Sequence, residues 1–500
     1  MTTFERKGTN PVNEKHTVYN YLKETGSVWL KDSDMKDKAD LKQPNLLHYN
    51  GFTTIDKIGD MESRVAENIM RLKWLNGTFD VSDEVINAYI EEFERTENEG
   101  RQLHYKQKDG VRMAVRQPIC VLTGGPGTGK TTVLSCMVYV LRKIQGDNRV
   151  VFTAPTGKAA NRIKESTGEN ATTTHKKLGL GRGNRPETFW EDTFIMDEAS
   201  MADLQLADAL FSAMPLGKKL ILVGDEEQLP SVGIGAVLRD IIASGVIECT
   251  MLTKTFRQDD SSTLFQNIKN IKEGLVELVE GSDFHPHKLE NNVDLNDVAK
   301  MLRETYLKCV DKYSVDDVCL LVPYRQSKTT ISSDVMSPFI QRAVNASDIG
   351  CKTRKFFFAK DDRVMQLENR AECANGDIGI VIEANSCGVT VDFFGVQVRY
   401  ETEEELETLA LAYSMTIHKS QGSEYKAVIM CILDSHSKML NRNLIYTGVT
   451  RAKKECYLYY QPKALEVGIT TKADKNRYSF LPDKLKALDI EYRLQKYNIA

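Results

Sequence analysis

The sequence has no Cys-X-X-Cys pair among its ten cysteines. That spacing marks zinc sites and redox dithiols, so its absence argues against both. Several cysteines sit inside apolar runs: Cys120 in ICVL, Cys319 in VCLLV and Cys431 in IMCIL. A reduced thiol packs there as a small apolar group. No apolar run approaches the about 20 residues that cross a bilayer. The N-terminal MTTFERKGTN also lacks the apolar stretch of a secretory signal. A large excess of one charge is missing too. The chain has 66 Lys and Arg against 70 Asp and Glu, a net charge of -4. This excludes a binder held on nucleic acid by global charge, but not a local basic groove. Short-period repeats and low-complexity tracts are absent as well. What is left is a soluble intracellular protein without a membrane partner, expected in the cytoplasm.

The composition that remains is globular: 41% hydrophobic, 8% aromatic and 27% charged over 500 residues. A domain holds roughly 100–200 residues, which predicts about three to five domains. His285 and His287 (HPH) have no cysteine cluster beside them and read as a surface loop rather than a metal site.

Residues 1–60 are polar with weak periodicity, so short helices or a partly ordered arm are expected there. From Glu62 the pattern is helical, with Val65, Ile69 and Leu72 on one face. A second amphipathic helix carries Val85, Ile86, Tyr89, Ile90 and Phe93, opposite an acidic, solvated face. Strand-then-helix units follow. QPICVLT (117–123), RVVFTA (149–154), TFIMD (193–197) and KLILVG (219–224) read as buried strands, and DVCLLV (317–322), AVIMCIL (427–433) and ECYLYY (455–460) repeat the pattern. Continuous apolar strands alternating with helices predict parallel sheets covered on both faces. The fold class is therefore α/β with two cores. Between them, residues 353–400 hold short strands punctuated by Gly and Asn, which reads as a small antiparallel barrel inserted in the second core.

The strongest chemical signal is GGPGTGKTT, 124–132. It follows a strand and opens a helix, as a phosphate loop requires. Gly125, Pro126, Gly127, Thr128, Gly129, Lys130, Thr131 and Thr132 are the expected nucleotide contacts. The backbone N–H groups and the helix N-terminus cradle phosphate, and Lys130 reaches its oxygens. Thr131 is the expected Mg2+ ligand, together with Asp197 of FIMDEAS, 194–200. Glu198 is placed to polarise the attacking water. In GDEEQLP, 224–230, Gln228 sits past another strand, where it can sense the γ-phosphate. These elements predict a nucleotide hydrolase and leave open what the hydrolysis drives.

The second core carries AYSMTIHKSQGSEY, 412–425, and NLIYTGVTRAKK, 443–454. Together with GGPGTGKTT, APTGKAA (154–160), DEAS, GDEEQLPSVGIGAVLRD (224–240) and TFRQ (255–258), the set resembles the superfamily-1B helicases, closest to the RecD-like DNA helicases. The likeness runs from about Gln107 to Leu465. It implies two RecA-like motor domains with ATP and Mg2+ in the cleft between them and single-stranded DNA across their tops. Movement would be 5′ to 3′, a polarity that comes from the resemblance alone. The implied organisation is an N-terminal helical domain (1–100), a first motor (101–245) with a pin-like insertion (176–191), a second motor (246–345 and 405–500) and an SH3-like barrel insertion (346–404).

By resemblance Gln107 reads adenine, Arg257 and Arg451 are offered to the γ-phosphate from the second core, and Glu424 contacts the ribose or the cleft. The strand path takes in Pro155, Thr156, Lys158 and His175 from the first motor, with Thr416, His418 and Ser420 from the second. Tyr324 and Arg325 are candidates for an aromatic and cationic platform, with packing at a strand end as the alternative. In the pin, GRGNRP (181–186) reads as a turn braced by Trp190, and a plain loop is the alternative. The expected function is a DNA helicase or translocase acting as a monomer on single strands and on junctions with duplex. The alternative is a motor subunit or protein-displacing translocase within a replication or recombination complex. About 100 residues precede Gln107, without the helix-hairpin-helix repeats of longer members, so a short form of the family is expected. Its source, cellular or viral, stays open, as does DNA against RNA.

Overall fold

The computed structural model describes residues 17–35, 45–76, 80–146, 149–180, 189–256, 262–327, 329–472 and 477–497. Two parallel sheets organise them. In the first, the strand order is Ala171–Thr173, Val150–Ala154, Thr193–Met196, Lys219–Gly224, Ile119–Gly124, Cys249–Leu252. In the second it is Phe284–Lys288, Ala452–Tyr460, Tyr425–Ile432, Val318–Val322, Ser414–Thr416. Every strand that reads as an apolar run lies inside a sheet. The four strands that do not, Ala171–Thr173, Cys249–Leu252, Phe284–Lys288 and Ser414–Thr416, are the sheet edges. A strand with one lateral neighbour is not enclosed on every side and can carry polar residues. The HPH segment is therefore an edge strand, not a loop. His285 stacks on Tyr457 and His287 on Tyr459, with ring centroids 4.4 and 4.5 Å apart.

Successive residues of a strand point to opposite faces, and the first sheet feeds two cores this way. Ile119, Val121, Phe194, Met196, Leu220 and Leu222 enter one cluster; Cys120, Leu122, Ile195, Ile221 and Val223 enter the other. The first cluster is covered by helices Asp56–Leu75, Leu204–Ala213, Val237–Ser244 and Leu481–Tyr497. The second is covered by Asp83–Thr96, Tyr105–Arg116, Lys130–Gln145 and Gly157–Thr167. Val65, Ile69, Leu72, Ile86, Ile90 and Phe93 are buried as their periodicity predicts, whereas Val85, in the first turn of its helix, is exposed.

Several boundaries differ from those expected. Strand Cys249–Leu252, expected in the second motor, is the edge of the first sheet, and Leu409–Leu411, also expected there, belongs to the insertion's sheet. The described part of residues 1–100 has no separate core, because its helices are the covering layers of the first motor. It is also not purely helical: Leu30–Lys31, Phe52–Ile55 and Leu46–Tyr49 form a small antiparallel sheet. The C-terminal helix Leu481–Tyr497 packs on Asp56–Leu75 and Val237–Ser244 rather than on the second motor. Glu62, fully buried, fixes this return. Its carboxylate accepts hydrogen bonds from Trp29 Nε1, Ser479 Oγ and the Phe480 N–H, each at 2.9 Å, and pairs with Lys484 at 2.8 Å. A buried carboxylate persists only when its lone pairs are satisfied in this way.

The insertion is an antiparallel sheet in the order Val396–Tyr400, Gly388–Phe393, Ile378–Asn385, Arg363–Gln366, Leu409–Leu411, with a ribbon of Gly350–Lys352 and Phe357–Ala359 beside it. Among the described residues no ladder joins its two outer strands. Val364, Val381, Val389 and Val391 share one cluster with Val318, Leu320 and Ile429 of the second sheet, so insertion and second core are packed as one body. Eight of the ten cysteines are buried, and all ten are free thiols.

Candidate functional site

The strand Ile119–Gly124 ends in the glycine loop, and helix Lys130–Gln145 begins at its far side. Gly127 and Gly129 have φ of 74° and 78°, which glycine adopts without a Cβ penalty. Gly129 is also the N-cap and offers no side chain to the first helical N–H groups. Those donors are left to a ligand, and the helix dipole favours an anion there. Lys130 Nζ donates to the carbonyls of Gly124 (2.5 Å) and Gly125 (3.2 Å), which holds the ammonium at the mouth of the loop.

Gln107 differs from its expected role. It is buried, and both ends of its amide are used: Oε1 accepts from the His104 N–H at 2.9 Å, and Nε2 donates to Thr128 O at 3.1 Å. A Cβ on Gly129 would sit 2.5 Å from that Nε2. Gln107 braces the loop and does not line the cleft.

The cleft has a volume of about 300 Å³. The first core contributes loop residues 125–132, Arg162, Asp197, Glu198 and Gln228; the second contributes Glu424 and Arg451. Burial pushes the Asp197 carboxyl up to about 6, with the Glu198 charge adding to the effect; the Glu198 N–H, Lys130 and Arg162 oppose it. Glu198 holds a left-handed backbone conformation, φ 50°. Such strain in a non-glycine residue clusters at functional sites. Gln228 is buried, and its Oε1 has no hydrogen-bond partner among the described residues although Gln228 borders the cleft. An unpaired buried acceptor is costly unless a ligand or water completes it. Arg451 is buried and held by the carbonyls of Thr447 (3.0 Å) and Ser423 (3.1 Å). Burial pulls its guanidinium pKa down, while Glu198 and Glu424 oppose that. Arg257 lies outside the described residues.

The donor set fits phosphate with a hard cation. Among the described residues no three His, Cys, Asp or Glu gather as a protein-only metal cage. Thr131 and Asp197 both border the phosphate loop, and Mg2+ typically takes one or two protein ligands plus substrate phosphates.

Several cleft and seam residues carry no expectation from sequence. Arg162 pairs with Glu424 across the cores at 2.7 Å. Phe256 is half-exposed at the cleft, its N–H bonded to Gly127 O at 2.7 Å. The GDEEQLP loop of the first core is gripped by the second. Tyr446 Oη donates to Asp225 at 3.0 Å, and Thr447 Oγ1 accepts the Leu229 N–H at 2.8 Å. Gln421 Nε2 donates to Leu229 O at 3.0 Å, and Asn443 Nδ2 to Glu227 O at 3.0 Å. These residues stand inside the HKSQGSE and NLIYTGVTRA motifs, so a reading of every polar residue in them, beyond His418, Ser420, Glu424 and Arg451, would have found the seam.

Residues 107–234 match the AAA domain family, and residues 411–459 the UvrD-like helicase C-terminal domain. The chain is similar to the ATP-dependent RecD2 DNA helicase of Deinococcus radiodurans, 33% identical over 341 residues, which cover 67% of this chain and 46% of that protein. It is also similar to the RecBCD enzyme subunit RecD of Haemophilus influenzae, 26% identical over 454 residues, covering 73% and 70%. The chain is RecD-like in sequence, similar to these RecD2 and RecD proteins over 67% and 73% of its length. It spans just under half the length of the Deinococcus relative. The solved structure of Bacteroides Pif1 bound to ssDNA is 17% identical, covers 80% of this chain and 98% of that one, and has a TM-score of 0.43.

The carboxyl ends of the two sheets of this RecD-like chain hold the residues expected on the strand path, with mixed outcomes. Pro155, Thr156, Thr416 and His418 are half-buried, and His175 and Arg325 are exposed. Thr156 Oγ1 caps helix Gly157–Thr167 by accepting the Ala159 N–H at 3.3 Å. Arg325 lies 3.5 Å from Asp334, and the half-buried Tyr324 ring meets His436 edge-on at 5.5 Å. Ser420 differs from expectation. It is fully buried, and its hydroxyl donates to Ile417 O at 2.7 Å, so it turns inward to close its own turn. Lys158 differs too: its Nζ donates to Tyr425 Oη of the second core at 2.9 Å. The pin turn GRGNRP lies outside the described residues; Trp190 beside it is exposed, with Arg149 and Lys177 at 5.0 and 5.6 Å from its ring.

Proposed function

We propose that this chain hydrolyses ATP with Mg2+ to move 5′ to 3′ along single-stranded DNA and to unwind duplex ahead of it, acting as a monomer. The observation that carries the reading is the joint cleft. One core supplies the phosphate loop, Lys130, Asp197, Glu198 and Gln228, and the other brings Arg451 to the same space. Lys130 turns from the Gly124 and Gly125 carbonyls to the β- and γ-phosphates. Glu198 takes the proton of the attacking water, and the Gln228 Oε1 orients that water. Arg451 and Arg257 spread the charge that builds on the transferred phosphoryl oxygens. Mg2+ held by Thr131 and Asp197 neutralises phosphate charge when bound. Arg451 and the Asn443, Tyr446 and Thr447 grip belong to one segment of the second core, so the position of that core governs the chemistry. Hydroxyl and basic groups along Pro155, Thr156, His175, Thr416 and His418 bind the strand through its phosphates, without reading sequence.

A second reading, a motor subunit within a recombination complex, is favoured by the similarity to RecD, named as a RecBCD subunit, over 70% of that protein's length. The first reading is tested by strand displacement from 5′-tailed and 3′-tailed duplexes, with DNA and RNA tracking strands. Unwinding of 5′-tailed DNA is expected. Unwinding of 3′-tailed substrates alone would overturn the polarity, and none without partner proteins would favour the second reading.

A further inference from the structure

Helix Gly157–Thr167 begins directly after the strand-path residues Pro155 and Thr156, and four residues after Lys158 it carries Arg162, which borders the cleft. Residues at i and i+4 share a helix face. Both side chains on that face reach consecutive residues of the second core. Lys158 Nζ donates to Tyr425 Oη at 2.9 Å and lies 5.2 Å from its ring centroid; Arg162 pairs with Glu424 at 2.7 Å. The insertion meets the same ring. The Arg363 guanidinium, on the first strand of its sheet, lies 5.3 Å from the Tyr425 centroid and donates to the carbonyls of Val315 and Val318 at 3.1 and 3.2 Å. A Cβ on Gly157 would stand 2.6 Å from Asp377 Oδ1, so the helix start also abuts the insertion. First core, second core and insertion thus converge on one aromatic ring, buried at the beginning of the strand Tyr425–Ile432.

We infer that Tyr425 is the joint that couples the strand path to the nucleotide cleft, with Lys158 and Arg363 as positioning residues that act through it. A helix turns as a unit. A strand pressing on Pro155 and Thr156 moves the same body that carries Arg162, and Tyr425–Glu424 takes up both ends of that motion on the second core. Coupling of this kind is reciprocal: nucleotide binding that draws Glu424 changes the strand-path loop by the same linkage. Lys158 in this role is a strut between motors and not a ligand of the DNA backbone. The inference rests on the reading of the chain as a strand-stimulated ATPase.

Lys158→Met keeps the stem and removes the amine; Tyr425→Phe keeps the ring volume and removes the hydroxyl. Each variant of the full chain is measured for ATP turnover with and without single-stranded DNA, and for strand binding across a salt series. Turnover without DNA is expected within about 2-fold of the parent and its stimulation by the strand to fall by about 10-fold, within the usual range of coupling between sites. Strand binding without nucleotide keeps its salt slope. Weaker binding with a slope reduced by about 1 in Lys158→Met would make Lys158 a phosphate ligand and overturn the proposal. Unchanged stimulation in both variants, or equal loss of basal and stimulated turnover in both, would overturn it as well. Tyr425→Phe guards against a fold defect in Lys158→Met. A parent chain without any strand stimulation would sink the functional reading itself, which separates the two failures.

Discussion

The tripeptide Thr-Gly-Lys stands at two strand-to-helix turns of the first core, at 128–130 and at 156–158, and its two lysines have unlike fates. At the first turn Gly129 is the N-cap, with φ 78° and no side chain to spend on the helix, so the helix N-terminus stays open to an anion and Lys130 stays at the cleft. At the second turn Thr156 is the N-cap, and its hydroxyl already satisfies the Ala159 N–H. The second core then stands directly against the helix, and burial together with Arg363 pushes the Lys158 amine down to about 7. The lesson is that a local motif sets the backbone, while the side chain's task is set by what the fold brings opposite it. Lys130 faces a cleft bordered by three carboxylates, and Lys158 faces a tyrosine.

The comparison breaks most readily at the cleft. Lys130→Ala, or Glu198→Gln beside it, is expected to reduce ATP turnover to background in a steady-state phosphate-release assay; near-parental turnover in both would remove the catalytic half of the contrast. Arg451→Ala tests whether the second core completes the chemistry. Its turnover is expected to fall by about 10³-fold, as for other arginines offered to a transferred phosphoryl group. An unchanged rate would make the buried guanidinium a packing element held by Thr447 and Ser423.

The glycines of the two tripeptides sharpen the contrast at a smaller scale. Gly129→Ala would force a left-handed alanine, costing about 1–2 kcal/mol, and would drive its Cβ into Gln107 Nε2. A lower melting midpoint and a raised KM for ATP are expected. Gly157→Ala carries no positive φ, and its Cβ meets Asp377 of the insertion instead. It is expected to leave the KM for ATP unchanged and to reduce strand stimulation. Equal effects on KM from the two variants would erase the distinction.

The interior of the fold was legible where the physics is repetitive. Strands enclosed on both faces must be apolar throughout, so ICVL, VVF, FIM and LILV announced the first sheet. The edge strands were not legible, because Phe284–Lys288 and Ser414–Thr416 have one neighbour each and use His, Ser and Thr. The return of helix Leu481–Tyr497 to the first core was hidden for another reason. It hangs on Glu62, a single glutamate inside a helix, whose partners Ser479, Phe480 and Lys484 lie more than 400 residues away in the chain. In the candidate site, Lys130, Asp197, Glu198 and Gln228 could be placed at the cleft from their motifs, and Arg451 from the family resemblance alone. Gln107, Lys158 and Ser420 could not. An amide, an amine and a hydroxyl serve structure as well as ligands, and only the Thr128 carbonyl, the Tyr425 hydroxyl and the Ile417 carbonyl opposite them decide between the two. Arg162 carried no local mark, and Phe256 was marked only as part of TFRQ, without a role; each becomes a cleft residue through the approach of the second core or of the glycine loop.

The most direct test sets the two lysines side by side: ATP turnover of the parent chain, Lys130→Ala and Lys158→Met, each with and without saturating single-stranded DNA. A strut role for Lys158 beside a catalytic Lys130 predicts a strand-stimulated parent, no turnover in either condition for Lys130→Ala, and for Lys158→Met a basal rate near the parent's with most of the stimulation lost. The same profile for both variants, or a parent whose turnover ignores the strand, would contradict it.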